Sequence, residues 1–116
     1  MRLVRRIGEL QVEVVKRILD ERLADGIWIN DDLGHKTGTL VNPRLYRKFV
    51  FPYYREIKQL TASRDVPLLL HSDGNITEVL PDLVHIGFNA IHPIDPNGMD
   101  MMEARRIAGP KVCLIG

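Results

Sequence analysis

The amino-acid sequence predicts an α/β fold that corresponds to part of a (β/α)8 barrel, with roughly four parallel strands alternating with helices. Short apolar runs alternate with segments whose apolar residues recur at helical spacing, in the order α-β-α-β-α-β-α-β. This alternation requires parallel strands joined by right-handed crossovers. Three of the four apolar runs end in polar residues, as strands do at the ligand-binding edge of such folds. Four such steps in 116 residues are close to half of a barrel of about 250 residues.

The first helix is predicted from near the start of the chain to Ala24. Gly26 is its expected stop, because glycine tolerates the left-handed conformation that ends many helices. The inward face is expected to carry the residues at helical spacing, which are Leu3, Ile7, Leu10, Val14, Ile18 and Leu23. A short strand at residues 27–29 and a long polar loop at residues 30–39 follow.

The middle of the chain predicts two helical segments around a buried strand. Asn42 and Pro43 are expected to be the N-cap and first residue of a helix that is bent or divided near Pro52. Its inward residues are expected to be Leu45, Phe49, Ile57 and Leu60. Residues 66–70 form an apolar run typical of a strand buried on both faces. Asn75 is then a good N-cap for a segment beginning at Ile76.

The last third of the chain repeats the same pattern. The segment from Ile76 is expected to end at Gly87, with Pro81 dividing it into two short helices. A strand at residues 89–91 leads into a stiff loop at 92–98. A helix at 99–108 closes at Gly109-Pro110, and residues 112–115 form a fourth buried strand.

Because the sequence stops directly after this strand, we expect residues 1–116 to be a single partial domain of a larger catalytic domain. The strands at 27–29 and 112–115 would then be edges covered by the rest of the barrel or by a second copy.

Composition excludes some classes of partner. Sixteen basic and fifteen acidic side chains leave a formal charge of +1, which gives no indication of nucleic-acid binding. No apolar run approaches the ~18 residues of a membrane span. Cys113 is the only cysteine, so no disulfide can form within the chain, which fits a cytoplasmic location.

Polar residues follow three of the four predicted strands, and parallel strands all end on the same side of a sheet. The sequence therefore predicts that these residues converge on one rim. They are Asp31, Asp32, His35 and Lys36 after the first strand, His71, Asp73 and Asn75 after the second, and His92 and Asp95 after the third. The alternative is that such loops are polar in any case and favour Asp, Asn and Ser as caps.

The residue types suggest roles within this set. The candidate catalytic residues are Asp31, Asp32, His71 and His92, because adjacent carboxylates and imidazoles handle protons or bind metals. His71 and Asp73 are candidate metal ligands if a third ligand comes from another loop. The candidate substrate-binding residues are His35, Lys36, Asn75 and Asp95. For each there is a structural alternative, such as Asp73 and Asn75 capping the next helix.

Five stretches together resemble a known family. They are W-I-N-D-D-L-G-x-K-x-G-T-L, N-P-x-L-Y-R-K-F-x-x-P-Y-Y, L-L-H-S-D-G-N, G-F-N-A-I-H-P-I-D-P and K-V-C-L-I-G, and the resemblance that they carry extends over nearly all of residues 26–116. This pattern resembles the C-terminal half of the uroporphyrinogen decarboxylase superfamily. The resemblance implies a (β/α)8 barrel and an enzyme.

Two branches of that superfamily imply different chemistry. A decarboxylase would be a lyase of porphyrin biosynthesis that acts on a tetrapyrrole without a cofactor. The methyltransferase branch would use zinc or another divalent metal, a methyl or thiol compound and a corrinoid protein. This chain differs from the decarboxylases, which carry an aromatic-Asp-Ser-Trp stretch where it has residues 29–32, and it lacks their arginine-rich N-terminal loop. His71 matches the histidine of the methyltransferases' His-x-Cys motif, and Asp73 stands in place of the cysteine.

Two alternatives lie outside enzymology. The Asp31-Asp32 pair after a strand is also found in phosphoacceptor receiver domains, although those domains open with a strand and place a lysine after a later one. The other alternative is a non-catalytic half barrel that only assembles with a partner.

Overall fold

The computed structural model describes residues 2–116. Its five helices are α1 (Arg2–Asp20), α2 (Pro43–Phe49), α3 (Phe51–Ala62), α4 (Leu80–Ile86) and α5 (Met101–Ala108). The strands are β1 (Ile27–Asn30), β2 (Gly34–His35), β3 (Gly38–Thr39), β4 (Leu68–His71), β5 (Ala90–His92) and β6 (Cys113–Leu114).

Four strands form one parallel sheet in the order β1-β4-β5-β6. This confirms the predicted alternation of helices with parallel strands. As expected, β1 and β6 are the two edges of that sheet. The buried strand predicted at residues 112–115 is present but shorter and less buried, because β6 has only two residues, of which Cys113 is exposed and Leu114 half-buried.

The helices cover one face of the sheet and leave the other open. Ile27, Ile29, Leu68, Leu70 and Ile91 point into the helix layer and are buried. Trp28 points to the opposite face, where 52% of its surface is exposed. The core therefore lies between the sheet and the helices, while the open face carries the alternate residues of each strand.

Helix α1 differs from the prediction in both its end and its buried face. It ends at Asp20 rather than Ala24, because Arg22 adopts a left-handed conformation (φ 53°) and the Leu23 amide donates to the Ile18 carbonyl at 3.0 Å. Gly26 is therefore not its stop. The buried residues of α1 are Gly8, Val15 and Leu19, whereas most of the expected face is exposed, namely Leu3, Ile7, Leu10, Val14 and Leu23.

Gly8 explains which face of α1 is buried. Its missing side chain lets the ring of Tyr53, on α3, approach the α1 backbone. This close approach turns the face that contains Gly8 towards α3. The apolar stripe predicted from periodicity is rotated away.

The helix pair α2–α3 agrees closely with the prediction from the sequence. The Asn42 side chain accepts a hydrogen bond from the Arg44 amide at 2.9 Å, as its N-cap role requires, and Pro52 lies in the first turn of α3. The predicted division is thus confirmed. Leu45 is exposed rather than inward, and Tyr46 beside it is buried instead.

Helix α4 begins later than predicted. Residues 77–79 form a turn, and α4 starts at Leu80 rather than Ile76. Pro81 lies in the first turn of α4, so it does not divide a longer helix. Gly87 ends α4 in the left-handed conformation (φ 102°), as predicted.

The remaining loops and α5 differ less from the prediction. The loop at 30–39 contains the antiparallel hairpin β2–β3, which was not predicted. Helix α5 is capped by Asp100, whose carboxylate accepts from the Glu103 amide at 2.8 Å, and it ends before Gly109 as predicted. Among residues 2–116, no helix combines the length and apolar character needed to cross a bilayer.

We expect Gly8→Ala to destabilise the protein. A Cβ at Gly8 would lie 2.5 Å from Cγ of Tyr53, so the ring would have to move. We expect a loss of about 1–3 kcal/mol in the free energy of unfolding, although alanine normally stabilises a helix by about 1 kcal/mol relative to glycine. Chemical denaturation measures the difference.

The control is the same substitution in a Tyr53→Ala background. The obstacle is then absent, and Gly8→Ala should raise stability there. An equal effect in both backgrounds would contradict the packing described for α1 and α3.

Candidate functional site

The register of the parallel strands aligns three polar residues at the carboxyl edge of the sheet. Asn30 pairs with His71, and His71 pairs with His92. The same pattern of backbone hydrogen bonds continues into the loops, since the Asp31 amide donates to the His71 carbonyl at 3.1 Å. The Ser72 amide likewise donates to the His92 carbonyl at 2.8 Å. The loops after β1, β4 and β5 therefore meet at one rim.

Asp32, His71 and Asp73 form a cluster at this rim. His71 Nε2 lies 3.7 Å from Asp32 Oδ1 and 3.8 Å from Asp73 Oδ2. One ligand atom from each residue falls within 4.8 Å of the other two. The Asp73 amide also donates to Asp32 Oδ1 at 3.1 Å, which ties the two loops together. The two carboxylates are exposed and the imidazole is half-buried, so the cluster is open to solvent on one side.

His92 contacts His71 rather than the carboxylates. The two Nδ1 atoms are 3.0 Å apart, and the ring centroids are separated by 5.1 Å. The indole of Trp28 packs edge-on against His92, with centroids 5.4 Å apart. His92 is therefore held between a neighbouring imidazole and an aromatic ring on the open face of the sheet.

Asp31 does not join this cluster. Its carboxylate accepts a hydrogen bond of 2.5 Å from the hydroxyl of Tyr54, on α3 in the helix layer. Because side chains alternate along a strand, Asp31 and Asp32 leave β1 on opposite sides. The expectation that they act as an adjacent carboxylate pair is wrong for this reason.

Tyr54 is fully buried beside Asp31. Burial raises the pKa of Tyr54 well above its usual range, and the charge of Asp31 and the hydrogen bond to it raise the pKa further. Burial and the Asp31 charge also raise the pKa of Tyr46. Both phenols therefore remain hydrogen-bond donors at neutral pH.

The loop after β1 is anchored through Leu33. Its amide donates to the hydroxyl of the buried Ser72 at 2.9 Å, and its carbonyl accepts from the Tyr46 hydroxyl at 2.9 Å. Ser72 thus links the loop after β4 to the loop that carries Asp32. These contacts fix the spacing between the two loops.

Gly74 permits the β2–β3 hairpin to close over the loop after β4. Its φ is 78°, and a Cβ at this position would lie 2.6 Å from Cα of His35. The Asn75 amide donates to the His35 carbonyl at 2.7 Å. Backbone therefore packs directly on backbone, which requires glycine.

The structure divides the four predicted substrate-binding residues into two pairs. His35 and Lys36 are exposed on the hairpin at the rim. Asn75 instead caps a turn, because its side chain accepts from the Thr77 amide at 3.0 Å. Asp95 Oδ1 likewise accepts from the amide and side chain of Asn97, at 2.9 and 3.0 Å. Both of these side chains stabilise their own loops.

Three buried residues that support the rim, Tyr54, Tyr46 and Ser72, have no role predicted from the sequence. The two tyrosines could have been noticed, because a buried tyrosine in a helix usually needs a hydrogen-bond partner for its hydroxyl. The partners, however, lie 23, 13 and 39 positions away in sequence. Only the fold brings them together.

The arrangement at the rim suits a cation. One imidazole nitrogen and two carboxylate oxygens are ligands that zinc and other divalent metals accept. The separations of 3.7 and 3.8 Å from His71 Nε2 are too long for hydrogen bonds, but they resemble the ~3.4 Å between ligands of a tetrahedral zinc ion. The donor set therefore fits a divalent metal.

Comparison with known proteins identifies the family. The sequence model of uroporphyrinogen decarboxylase (URO-D) matches residues 1–116. No curated protein matches the chain in sequence. A solved methyltransferase from Methanosarcina mazei superposes with a TM-score of 0.71 at 22% sequence identity, over 94% of this chain and 30% of that one. The predicted fold, a part of a (β/α)8-type barrel, is thus confirmed, and the chain spans about 30% of that relative's length.

The Tyr54–Asp31 pair predicts a change of stability at high pH. A tyrosine in the unfolded chain ionises at pH ~10, whereas the raised pKa of Tyr54 keeps it protonated in the folded protein at higher pH. The unfolded state therefore loses its proton first, and the free energy of unfolding should fall above pH ~10 by up to about 1.4 kcal/mol per pH unit. Tyr54→Phe should show a flatter curve in urea denaturation.

Asp31→Asn is the matched control, since it keeps the burial and removes the charge. Because burial is the largest cause of the raised pKa, this variant should retain most of the fall. Parallel curves for the wild type and Tyr54→Phe above pH ~10 would contradict the assignment.

Proposed function

We propose that this chain, which belongs to the uroporphyrinogen decarboxylase family, supplies part of the active site of a metal-assisted methyltransferase. The observation that carries the proposal is the cluster of Asp32, His71 and Asp73 at the carboxyl edge of the sheet. This is the edge at which barrels of this type place their catalytic residues.

The three residues would hold one divalent cation, with zinc as the first candidate. His71 would bind through Nε2, the atom that faces both carboxylates. When bound, such a metal lowers the pKa of a thiol and holds the thiolate for reaction. The two carboxylates would balance the charge of the ion. Their exposure leaves room for a substrate beside it.

The surrounding residues have binding roles in this proposal. Lys36 and His35 lie exposed on the hairpin, where a cationic side chain can attract an anionic group of the thiol substrate. His92 and Trp28 line the open face of the sheet next to His71. A corrinoid protein would supply the methyl group, and the remainder of the barrel would cover the open face and the two sheet edges.

Tetrapyrrole decarboxylation is the less favoured chemistry. Its substrate carries several carboxylates, which a site must meet with cationic groups. The centre of this rim instead presents Asp32 and Asp73, whose side chains are 56% and 63% exposed. Like charges would repel such a substrate.

We expect the protein, once stripped of metal by a chelator, to bind one Zn²⁺ per chain. Asp32→Asn and His71→Ala should each weaken binding by at least about tenfold, because each removes one of three ligands. Isothermal titration calorimetry at a fixed pH measures the affinity.

Asp95→Asn is the matched control for this titration. It neutralises a carboxylate in the next loop, where Oδ1 is already bonded to Asn97, and it should bind zinc like the wild type. The proposal fails if the wild type binds no zinc, or if all three variants bind it equally well.

Asp73→Cys tests the identity of the ligand set. A thiolate is a softer ligand than a carboxylate, so this variant should prefer Zn²⁺ over Mg²⁺ and Mn²⁺ more strongly than the wild type does. With Co²⁺ it should also show a sulfur-to-cobalt charge-transfer band. Asp95→Cys places a thiol in the neighbouring loop and should give no such band. A band of equal strength in both variants would show that residue 73 is not a ligand position.

A further inference from the structure

The two imidazoles of His71 and His92 form a direct pair across neighbouring strands. They occupy paired positions of β4 and β5, and their Nδ1 atoms are 3.0 Å apart. This separation is that of a hydrogen bond between ring nitrogens. A single hydrogen must therefore lie between them, donated by one ring and accepted by the other.

The position of that hydrogen decides what His71 presents to the carboxylates. A neutral imidazole carries a hydrogen on only one of its nitrogens. If His71 donates through Nδ1, its Nε2 is bare where it faces Asp32 and Asp73, at 3.7 and 3.8 Å. If His92 donates instead, His71 carries its hydrogen on Nε2. Only the first arrangement leaves a lone pair for a cation.

We propose that His92 is a positioning residue, which accepts a hydrogen bond from His71 Nδ1 and so fixes the tautomer and ring orientation of His71 as a ligand. This inference rests on the proposed function for its chemical meaning, because the tautomer matters only if a metal binds. Metal-ligating histidines generally donate their second N–H to such an acceptor.

His92 is well held for this role. It is carried by a strand rather than by a mobile loop, and its carbonyl accepts from the Ser72 amide at 2.8 Å. Trp28 packs against its ring at an interplanar angle of 74°. These contacts limit the orientations of the imidazole, so its Nδ1 remains in position for His71.

Two substitutions separate the hydrogen bond from the bulk of the side chain. His92→Asn places an amide oxygen near the position of Nδ1 and keeps an acceptor. His92→Leu has similar bulk and offers no acceptor. We expect zinc affinity to fall about 10–100-fold in His92→Leu and to stay within about threefold of the wild type in His92→Asn.

Nitrogen-15 spectra of the imidazoles report the tautomers directly. In the zinc-loaded wild type, we expect His71 to carry its hydrogen on Nδ1 and His92 Nδ1 to carry none. In His92→Leu without metal, His71 should carry its hydrogen on Nδ1 in a smaller share of molecules than in the metal-free wild type, because the acceptor for that hydrogen is lost. In His92→Asn this share should remain closer to that of the wild type.

The outcomes separate this inference from the proposed function. Equal zinc affinity in His92→Leu and the wild type, or a zinc-loaded His71 without hydrogen on Nδ1, would overturn the positioning role while leaving the metal site intact. If the wild type binds no zinc, the proposed function fails. The metal-free spectra still decide the inference in that case, because a smaller share of the His71 Nδ1–H tautomer in His92→Leu than in the wild type would support it, and an unchanged or larger share would overturn it.

Discussion

The parallel register of β1, β4 and β5 is the constraint on which the candidate site depends. Because Asn30, His71 and His92 occupy paired positions, their side chains stand in one row at the spacing of adjacent strands, about 4.8 Å. The backbone bonds that continue past the strand ends hold the loops in the same alignment. A shift of one residue in the pairing of β4 with either neighbour would place His71 and His92 on opposite faces from their present partners, and the cluster of Asp32, His71 and Asp73 would not form.

The alternation of side chains along a strand divides the polar residues between two environments. Asp32, His71 and Asp73 meet at the open rim, whereas Asp31 enters the helix layer and bonds to Tyr54. The same residue type therefore lies in the helix layer at position 31 and in the cluster at the rim at position 32. Behind the accessible rim, the Ser72 hydroxyl accepts a buried hydrogen bond from the Leu33 amide, and the Tyr46 hydroxyl donates one to the Leu33 carbonyl.

Features set by neighbouring residues could be predicted from the sequence. The parallel strands, the Asn42 cap, the division at Pro52 and the end of α4 at Gly87 all follow from residues close together in the chain. The convergence of Asp32, His71 and Asp73 followed from the strand order alone. Features set by distant contacts were missed. The buried face of α1 depends on Gly8 meeting Tyr53, and the position of Asp31 depends on Tyr54.

Ser72 stands between two residues of the proposed metal site, whereas its own hydroxyl accepts a hydrogen bond from the Leu33 amide and so belongs to the scaffold. Positions 71 and 73 can exchange one ligand type for another without loss of the loop, because the intervening residue keeps the loop in place. In the proposed metal site, single substitutions at these two positions would therefore change the ligand set while the loop keeps its place. In this loop, the residue that holds the fold and the residues that would determine the chemistry are different neighbours in the chain. A change of reaction would therefore not require a change of architecture.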